Sequence, residues 1–151
     1  MKKIRFKASV AVAISLLVGL LISNRLVFVV NPTESLPQVF WLGVKGITPK
    51  KGDYIVFTAS GHDMSFIKRI AGESGDEIKV KGCDFFIDNE YVATAKTHSL
   101  EGKVIDLSEE GKLREGEYFV LGEHKDSFDS RYKQMGRIEE SRILAVAYPL
   151  W

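Results

Sequence analysis

The chain has few of the residues that staple or punctuate small domains. Of 151 residues one is Cys (Cys83), four are Pro and three are His, at positions 62, 98 and 124. A single Cys forms no intramolecular disulfide, and three scattered His do not have the spacing of zinc ligands, so the expected chemistry is metal-free and needs no cofactor. With 45% hydrophobic residues and so little Pro, the composition excludes disordered and collagen-like chains. Acidic residues are missing altogether from the first 30 positions, which carry Lys2, Lys3, Arg5, Lys7 and Arg25. Taking those five from the 21 basic residues leaves 16 against 20 acidic, a net charge of −4 for residues 31–151. Phosphate contacts require clustered Lys and Arg, so nucleic acid is excluded as a partner.

What the N-terminus has is apolar length. Ala8–Ile22 is an uncharged run of 15 residues, followed by Ser23, Asn24, Arg25 and a second apolar stretch, Leu26–Val30. Taken through Val30 the segment is 23 residues, roughly 34 Å as a helix against a bilayer core of about 30 Å. Arg25 would then reach the headgroups along its stem. The positive-inside rule puts Lys2–Lys7 in the cytoplasm and everything after Val30 across the membrane. A cleaved leader is the rival reading, although Leu20–Asn24 offers no small-x-small site. The expected organisation is a basic cytoplasmic tail over 1–7, a transmembrane helix over 8–30 and an extracytoplasmic domain over 31–151.

In that domain the apolar residues come in short runs between turn signals, which predicts strands at Val39–Val44, Tyr54–Thr58, Ser65–Ile70, Glu77–Val80, Asp84–Ile87, Glu90–Val92, Tyr118–Leu121 and Ile143–Ala147. Gly52-Asp53, Gly75-Asp76, Asp88-Asn89 and Glu115-Gly116 separate them. The fold class expected is mainly β, a partly open barrel or packed sheets. A less regular excursion is expected around 81–115.

Three segments carry chemistry. In Asn31-Pro32-Thr33-Glu34-Ser35-Leu36-Pro37, Pro37 restricts Leu36 to extended conformations. Along an extended chain Thr33 and Ser35 share a side. One hydroxyl of such a pair can be a nucleophile while the other stabilises an oxyanion, although Ser and Thr near Pro equally mark a plain turn. In Ser65–Ile70, alternation places Lys68 between Phe66 and Ile70 on one face and Arg69 on the other. Desolvation favours the neutral amine, which can act as a general base; the alternative is an edge lysine reaching water. In Gly122–Tyr132, two acids, two hydroxyls and an Arg lie within six positions, Asp126 to Arg131. They can form a network supporting the lysine, with Asp129 and Arg131 as an ion pair, or a solvated loop.

In this order the segments resemble the type I signal peptidase family, serine endopeptidases with a Ser-Lys dyad. Ser35-Leu36-Pro37 is similar to the nucleophile box, and Lys68-Arg69-Ile70-Ala71-Gly72-Glu73-Ser74-Gly75-Asp76-Glu77-Ile78 to the lysine box. Gly52–Phe57 is similar to a Gly-Asp strand between them, and Asp126–Arg131 to an Asp-Ser-Arg loop. The short length, Asn-x-Thr-x-Ser-Leu-Pro and the aromatic flanks of Ser127–Tyr132 resemble the conjugative-transfer, TraF-type branch, which matures pilin precursors. The chain departs from the family pattern at Glu123-His124 and in a loop one residue shorter before Ser127.

The resemblance implies Ser35 as nucleophile and Lys68 as general base. It implies the Thr33 hydroxyl and the Ser35 N–H as the oxyanion hole, Ser127 as the hydroxyl orienting the lysine, and Asp129, Arg131 and Asp126 as supporting residues. The implied substrate is an exported precursor with small residues, typically Ala-x-Ala, before the cut. The implied place is the bacterial inner membrane, crossed once, with a periplasmic catalytic domain. A pilin would be the substrate and other conjugation-apparatus proteins the neighbours. Two other readings are a non-catalytic membrane-anchored assembly component, motivated by Glu123-His124, and a self-cleaving repressor of the LexA type, whose DNA-binding helices this chain lacks. His62 and His98 are expected at the surface, and Cys83 as a small packed side chain.

Overall fold

A computed structural model describes residues 24–33, 35–59, 61, 64–99 and 102–151, together with Ser15 and Gly19. Among them are eleven strands: β1 (Leu26–Val30), β2 (Phe40–Val44), β3 (Tyr54–Thr58), β4 (Ser65–Gly72), β5 (Glu77–Lys81), β6 (Asp84–Ile87), β7 (Glu90–Thr94), β8 (Gly111–Lys112), β9 (Glu117–Leu121), β10 (Ile138–Glu139) and β11 (Ile143–Pro149). They form a seven-stranded sheet in the order β1-β2-β11-β3-β4-β9-β10 and a four-stranded sheet in the order β7-β6-β5-β8. Each pairing is antiparallel. The short apolar runs became strands and the Gly-Asp and Asp-Asn pairs became turns. Asp88 and Asn89 take φ of 51° and 69°, the left-handed pair that a two-residue hairpin between β6 and β7 requires.

The sheets meet through one apolar cluster. Phe119 and Leu121 of the large sheet pack with Ile78, Phe85 and Ile87 of the small one and with Leu113. Strand β5 bonds to β6 and β8, so the region set apart from the large sheet starts at Glu77, ahead of the expected boundary at 81. Two further clusters cover the faces of the large sheet. One holds Ile55, Phe57, Ile70 and Val120; the other holds Leu36, Trp41, Val56 and Ile67. Strands β3 and β4 are therefore covered on both sides over much of their length, and Lys68 on β4 is withdrawn from water.

The expected transmembrane helix over 8–30 is corrected at its far end. Leu26–Val30 is an edge strand paired in register with β2, from Leu26 opposite Val44 to Val30 opposite Phe40. Its three valines favour the pleated conformation, and Gly43 admits the close approach: a Cβ there would lie 2.5 Å from Val27 Cγ1. Arg25 belongs to the turn before β1, where its carbonyl accepts the Lys45 N–H at 2.8 Å, instead of ending a membrane helix. The rest of the expected helix lies outside the described residues apart from Ser15 and Gly19. Among the described residues no helix is long and apolar enough to cross a membrane. The tail over 1–7 and His62 also lie outside them. Strand β1 and the C-terminus expose a row of large apolar side chains, with Phe28 78% and Trp151 85% exposed.

Candidate active site

Lys68 sits near the middle of β4, between β3 and β9, opposite Ile55. Alternation turns Arg69 out to solvent and Lys68 inward, where it is 3% exposed. Its Nζ donates to Ser127 Oγ at 2.8 Å. Burial pushes the amine down from 10.5 to about 8, with the Arg131 guanidinium pushing the same way and Asp129 opposing. At mildly alkaline pH this lysine is a neutral base that is already hydrogen-bonded in place.

Ser127 is held from below. The Arg131 side chain grips Asp129 with two parallel bonds, Nε to Oδ1 at 2.8 Å and Nη2 to Oδ2 at 2.9 Å. Its Nη2 also reaches the Ser127 carbonyl at 3.0 Å, and its Nη1 reaches the Thr94 carbonyl of β7 at 2.6 Å. Asp129 Oδ2 accepts the Gly122 N–H at 3.0 Å, closing the loop on itself. Both side chains are buried. Such a pair persists because nearly every donor and acceptor is matched. The loop that follows β9 is therefore a tied structure attached to the small sheet.

Ser35 lies in the loop between β1 and β2 and is also buried. The next residue, Leu36, is 3% exposed and packs with Trp41, Val56 and Ile67. Burying a leucine contributes about 2 kcal/mol, which pins the chain at position 35. The Ser35 carbonyl accepts two amides of the loop after β9, Glu123 N–H at 2.8 Å and His124 N–H at 3.2 Å. Gly122 makes that docking possible, because a Cβ there would stand 2.0 Å from Ser127 Oγ and 3.1 Å from the Ser35 carbonyl oxygen. The lysine's hydroxyl partner and the backbone of Ser35 thus crowd the same glycine.

Ser35 Oγ is 2.7 Å from Thr33 Oγ1, and the described residues around them lie in bends and a turn instead of the extended segment expected. Thr33 Oγ1 is also 2.7 Å from Asn31 Oδ1, which receives the Thr33 backbone N–H at 3.2 Å. An open groove of about 740 Å³ runs beside these residues, bordered by Asn31, Thr33, Leu36, Val39 and Glu123. The Glu123 carboxylate is hydrogen-bonded by the Tyr54 hydroxyl. Burial and then that carboxylate push the tyrosine up to about 12, so it remains a donor.

Of the residues expected at the site, the fold gathers Thr33, Ser35, Lys68, Ser127, Asp129 and Arg131. Asp126 is not brought in: its side chain pairs with Lys96 near the surface, and Lys96 holds the carboxyl below its usual range. His98 is exposed, and the half-buried Cys83 lies in the turn between β5 and β6. Sequence reasoning missed Asn31, Gly122 and Tyr54. For Asn31 a signal existed, since Asn two residues before a Thr is a common side-chain-to-backbone turn. For Gly122 and Tyr54 none did, because their partners are distant in sequence. Among the described residues no three His, Cys, Asp or Glu side chains converge as metal ligands do.

The profile of the family described as signal peptidase, peptidase S26, matches residues 2–151. The chain is 29% identical to signal peptidase I U of Bacillus subtilis, over 98% of this chain and 91% of that protein. It is 27% identical to signal peptidase I T of the same organism, over 65% of this chain and 54% of that protein. It thus spans about half the length of several curated relatives it matches. The fold is also similar to the crystal structure of a signal peptidase I from Enterococcus faecalis V583, with 20% identity and a TM-score of 0.45 over 66% of this chain and 97% of that one.

Proposed function

The chain belongs to the peptidase S26 signal peptidase family, and on that premise we propose that it is a serine endopeptidase that removes leader sequences from exported precursors. The observation that carries this reading is Lys68, a buried amine pushed down to about 8 and bonded to Ser127, in the site where Ser35 is docked. A buried lysine without a task costs stability.

In the proposed mechanism the neutral Lys68 amine takes the Ser35 hydroxyl proton as Ser35 Oγ attacks the scissile carbonyl carbon. The new Oγ–C bond makes a tetrahedral oxyanion, which receives hydrogen bonds from the Thr33 hydroxyl and the Ser35 N–H. Collapse breaks the C–N bond, and protonated Lys68 gives its proton to the leaving amine. Water, deprotonated by Lys68, then attacks the acyl-enzyme and releases Ser35. Ser127 orients the amine throughout; Asp129 and Arg131 hold Ser127. The groove beside Asn31 and Thr33 takes the residues before the cut, for which the resemblance implies small side chains such as Ala-x-Ala.

We place the domain on the outer face of the cytoplasmic membrane, with the basic N-terminus inside. The row of exposed Phe28, Val30, Phe40 and Trp151 favours a membrane surface, where a precursor's leader helix presents its cleavage site. The proposed substrate is a pilin precursor of a conjugation system, on the strength of Asn-x-Thr-x-Ser-Leu-Pro and the Ser127–Tyr132 segment. The test is N-terminal peptide mapping of envelope proteins from cells expressing the wild-type chain, Ser35→Ala or Lys68→Ala beside the candidate precursors. A mature N-terminus or cyclic product found only with wild type supports the peptidase and names its substrate. Identical maps from all three chains, each present and folded, refute the reading and favour a docking component.

A further inference from the structure

Counting hydrogens in the loop between β1 and β2 shows which way each hydroxyl points. The atom of Asn31 facing Thr33 receives a backbone N–H, which can only donate, so that atom is the amide oxygen. Thr33 has one hydroxyl hydrogen, and 2.7 Å from an oxygen that only accepts, it is donated to Asn31. The 2.7 Å contact between the two hydroxyls is then made by the Ser35 hydrogen, with Thr33 accepting. Donation runs Ser35 to Thr33 to Asn31. Asn31 is buried, and its Nδ2 is anchored on the Gln38 carbonyl at 3.4 Å, so the acceptor is held in place.

This arrangement occupies the two hydrogens that acyl transfer needs elsewhere. The Ser35 proton points at Thr33 instead of at an amine, and the Thr33 hydrogen is turned to Asn31 instead of to a substrate oxygen. We propose that Asn31 is a positioning residue that keeps the Thr33 hydroxyl turned away from the oxyanion hole until a substrate carbonyl, acquiring negative charge, takes that hydrogen from it. The exchange is favourable in one direction only: a bond to a developing oxyanion is about twice as strong as one to a neutral amide. In that same step Thr33 ceases to accept from Ser35, whose proton passes to Lys68 as Ser35 Oγ attacks the carbonyl. The inference rests on the peptidase reading proposed above.

The test uses the full chain and a synthetic peptide with Ala-x-Ala before the scissile bond, with kcat and KM measured separately. Asn31→Asp keeps the turn to the Thr33 N–H and grips its hydroxyl harder. It is expected to lower kcat about tenfold and to change KM less than twofold. Asn31→Ala removes the grip and is expected to raise kcat at least twofold above wild type. In a Thr33→Val background, which has no hydroxyl to hold, the two Asn31 variants are expected to have equal kcat. Opposite effects of the two substitutions are not what a merely structural residue produces, since both would then be harmful. Equal losses in Asn31→Asp and Asn31→Ala overturn the inference, as does a difference that persists in the Thr33→Val background. Circular dichroism identifies any variant that does not fold, and Asn31→Asp against Asn31→Gln, which keeps a neutral acceptor, then makes the same comparison. Cleavage that Ser35→Ala leaves unchanged refutes the peptidase reading and this inference together; cleavage abolished by Ser35→Ala while the Asn31 variants match refutes this inference alone.

Discussion

Lys68 Nζ and Ser127 Oγ are 2.8 Å apart although 59 residues separate them in sequence. One lies in the middle of β4, the other in the loop that leaves β9, the neighbour of β4. That adjacency lets a buried amine keep a hydrogen-bond partner while the surroundings favour its neutral form, and it gives the protein a defined pH response.

If Lys68 is the base, only its neutral form is active. Its conjugate acid is pushed down to about 8 by burial. On peptide substrate, kcat/KM is expected to rise about tenfold per pH unit below about 8 and to level off above it. A profile flat between pH 6 and 10 removes Lys68 from the role.

The same shift predicts a stability change of definite sign. Burial pushes the amine down to about 8 in the fold from its ordinary 10.5, and each pH unit of that difference is about 1.36 kcal/mol. Below about pH 8 both folded and unfolded chains hold the proton, and burial costs the fold about 3 kcal/mol. Between about 8 and 10.5 the unfolded chain binds more protons, so stability rises with pH until the penalty is gone. Lys68→Met is therefore expected to raise the urea midpoint at pH 7, with a gain that shrinks toward pH 10.5. A midpoint difference independent of pH contradicts the shifted amine.

Gly122→Ala tests the docking of the two loops. The added methyl would stand 2.0 Å from Ser127 Oγ, so Ser127 must move. Overpacking of this kind costs about 1–3 kcal/mol, and misplacing a catalytic neighbour by about 1 Å can cost about 10²-fold in rate. The expected result is a folded protein with kcat reduced about 10²-fold; thermal melting and peptide kinetics measure both parts. Unchanged kcat means that Ser127 does not orient the base.

Breaking the ion pair beneath the site is expected to act mainly on stability. Arg131→Ala leaves Asp129, which is fully buried, without its partner, a change that typically costs about 3–5 kcal/mol. Arg131→Lys keeps the charge but cannot make the two-pronged contact or reach the Thr94 and Ser127 carbonyls together. It is expected to recover less than half of the loss in denaturant titrations. Full recovery by lysine would show that charge alone matters there.

Much of this protein follows from local pattern. Short apolar runs between Gly-Asp and Asp-Asn turns were sufficient to mark β3, β4, β6 and β9, because run length and turn conformation are properties of a few neighbouring residues. The inward turn of Lys68 was legible because a period of two decides it along β4, whereas Thr33 and Ser35 meet in a bent loop that alternation does not describe. Leu26–Val30 was misread as membrane helix because hydrophobicity alone does not distinguish lipid from a sheet; pairing with β2 decided it. Asp126 and Asp129 lie three residues apart in one loop; the pairing of Asp129 with Arg131 was legible in the sequence, and only the folded chain put Asp126 beside Lys96. Sequence determined which residues can do chemistry and which way they face along a strand. Tertiary structure decided which of them meet, because Gly122 and Tyr54 act through close contacts and hydrogen bonds that exist only once separate strands and loops are packed side by side.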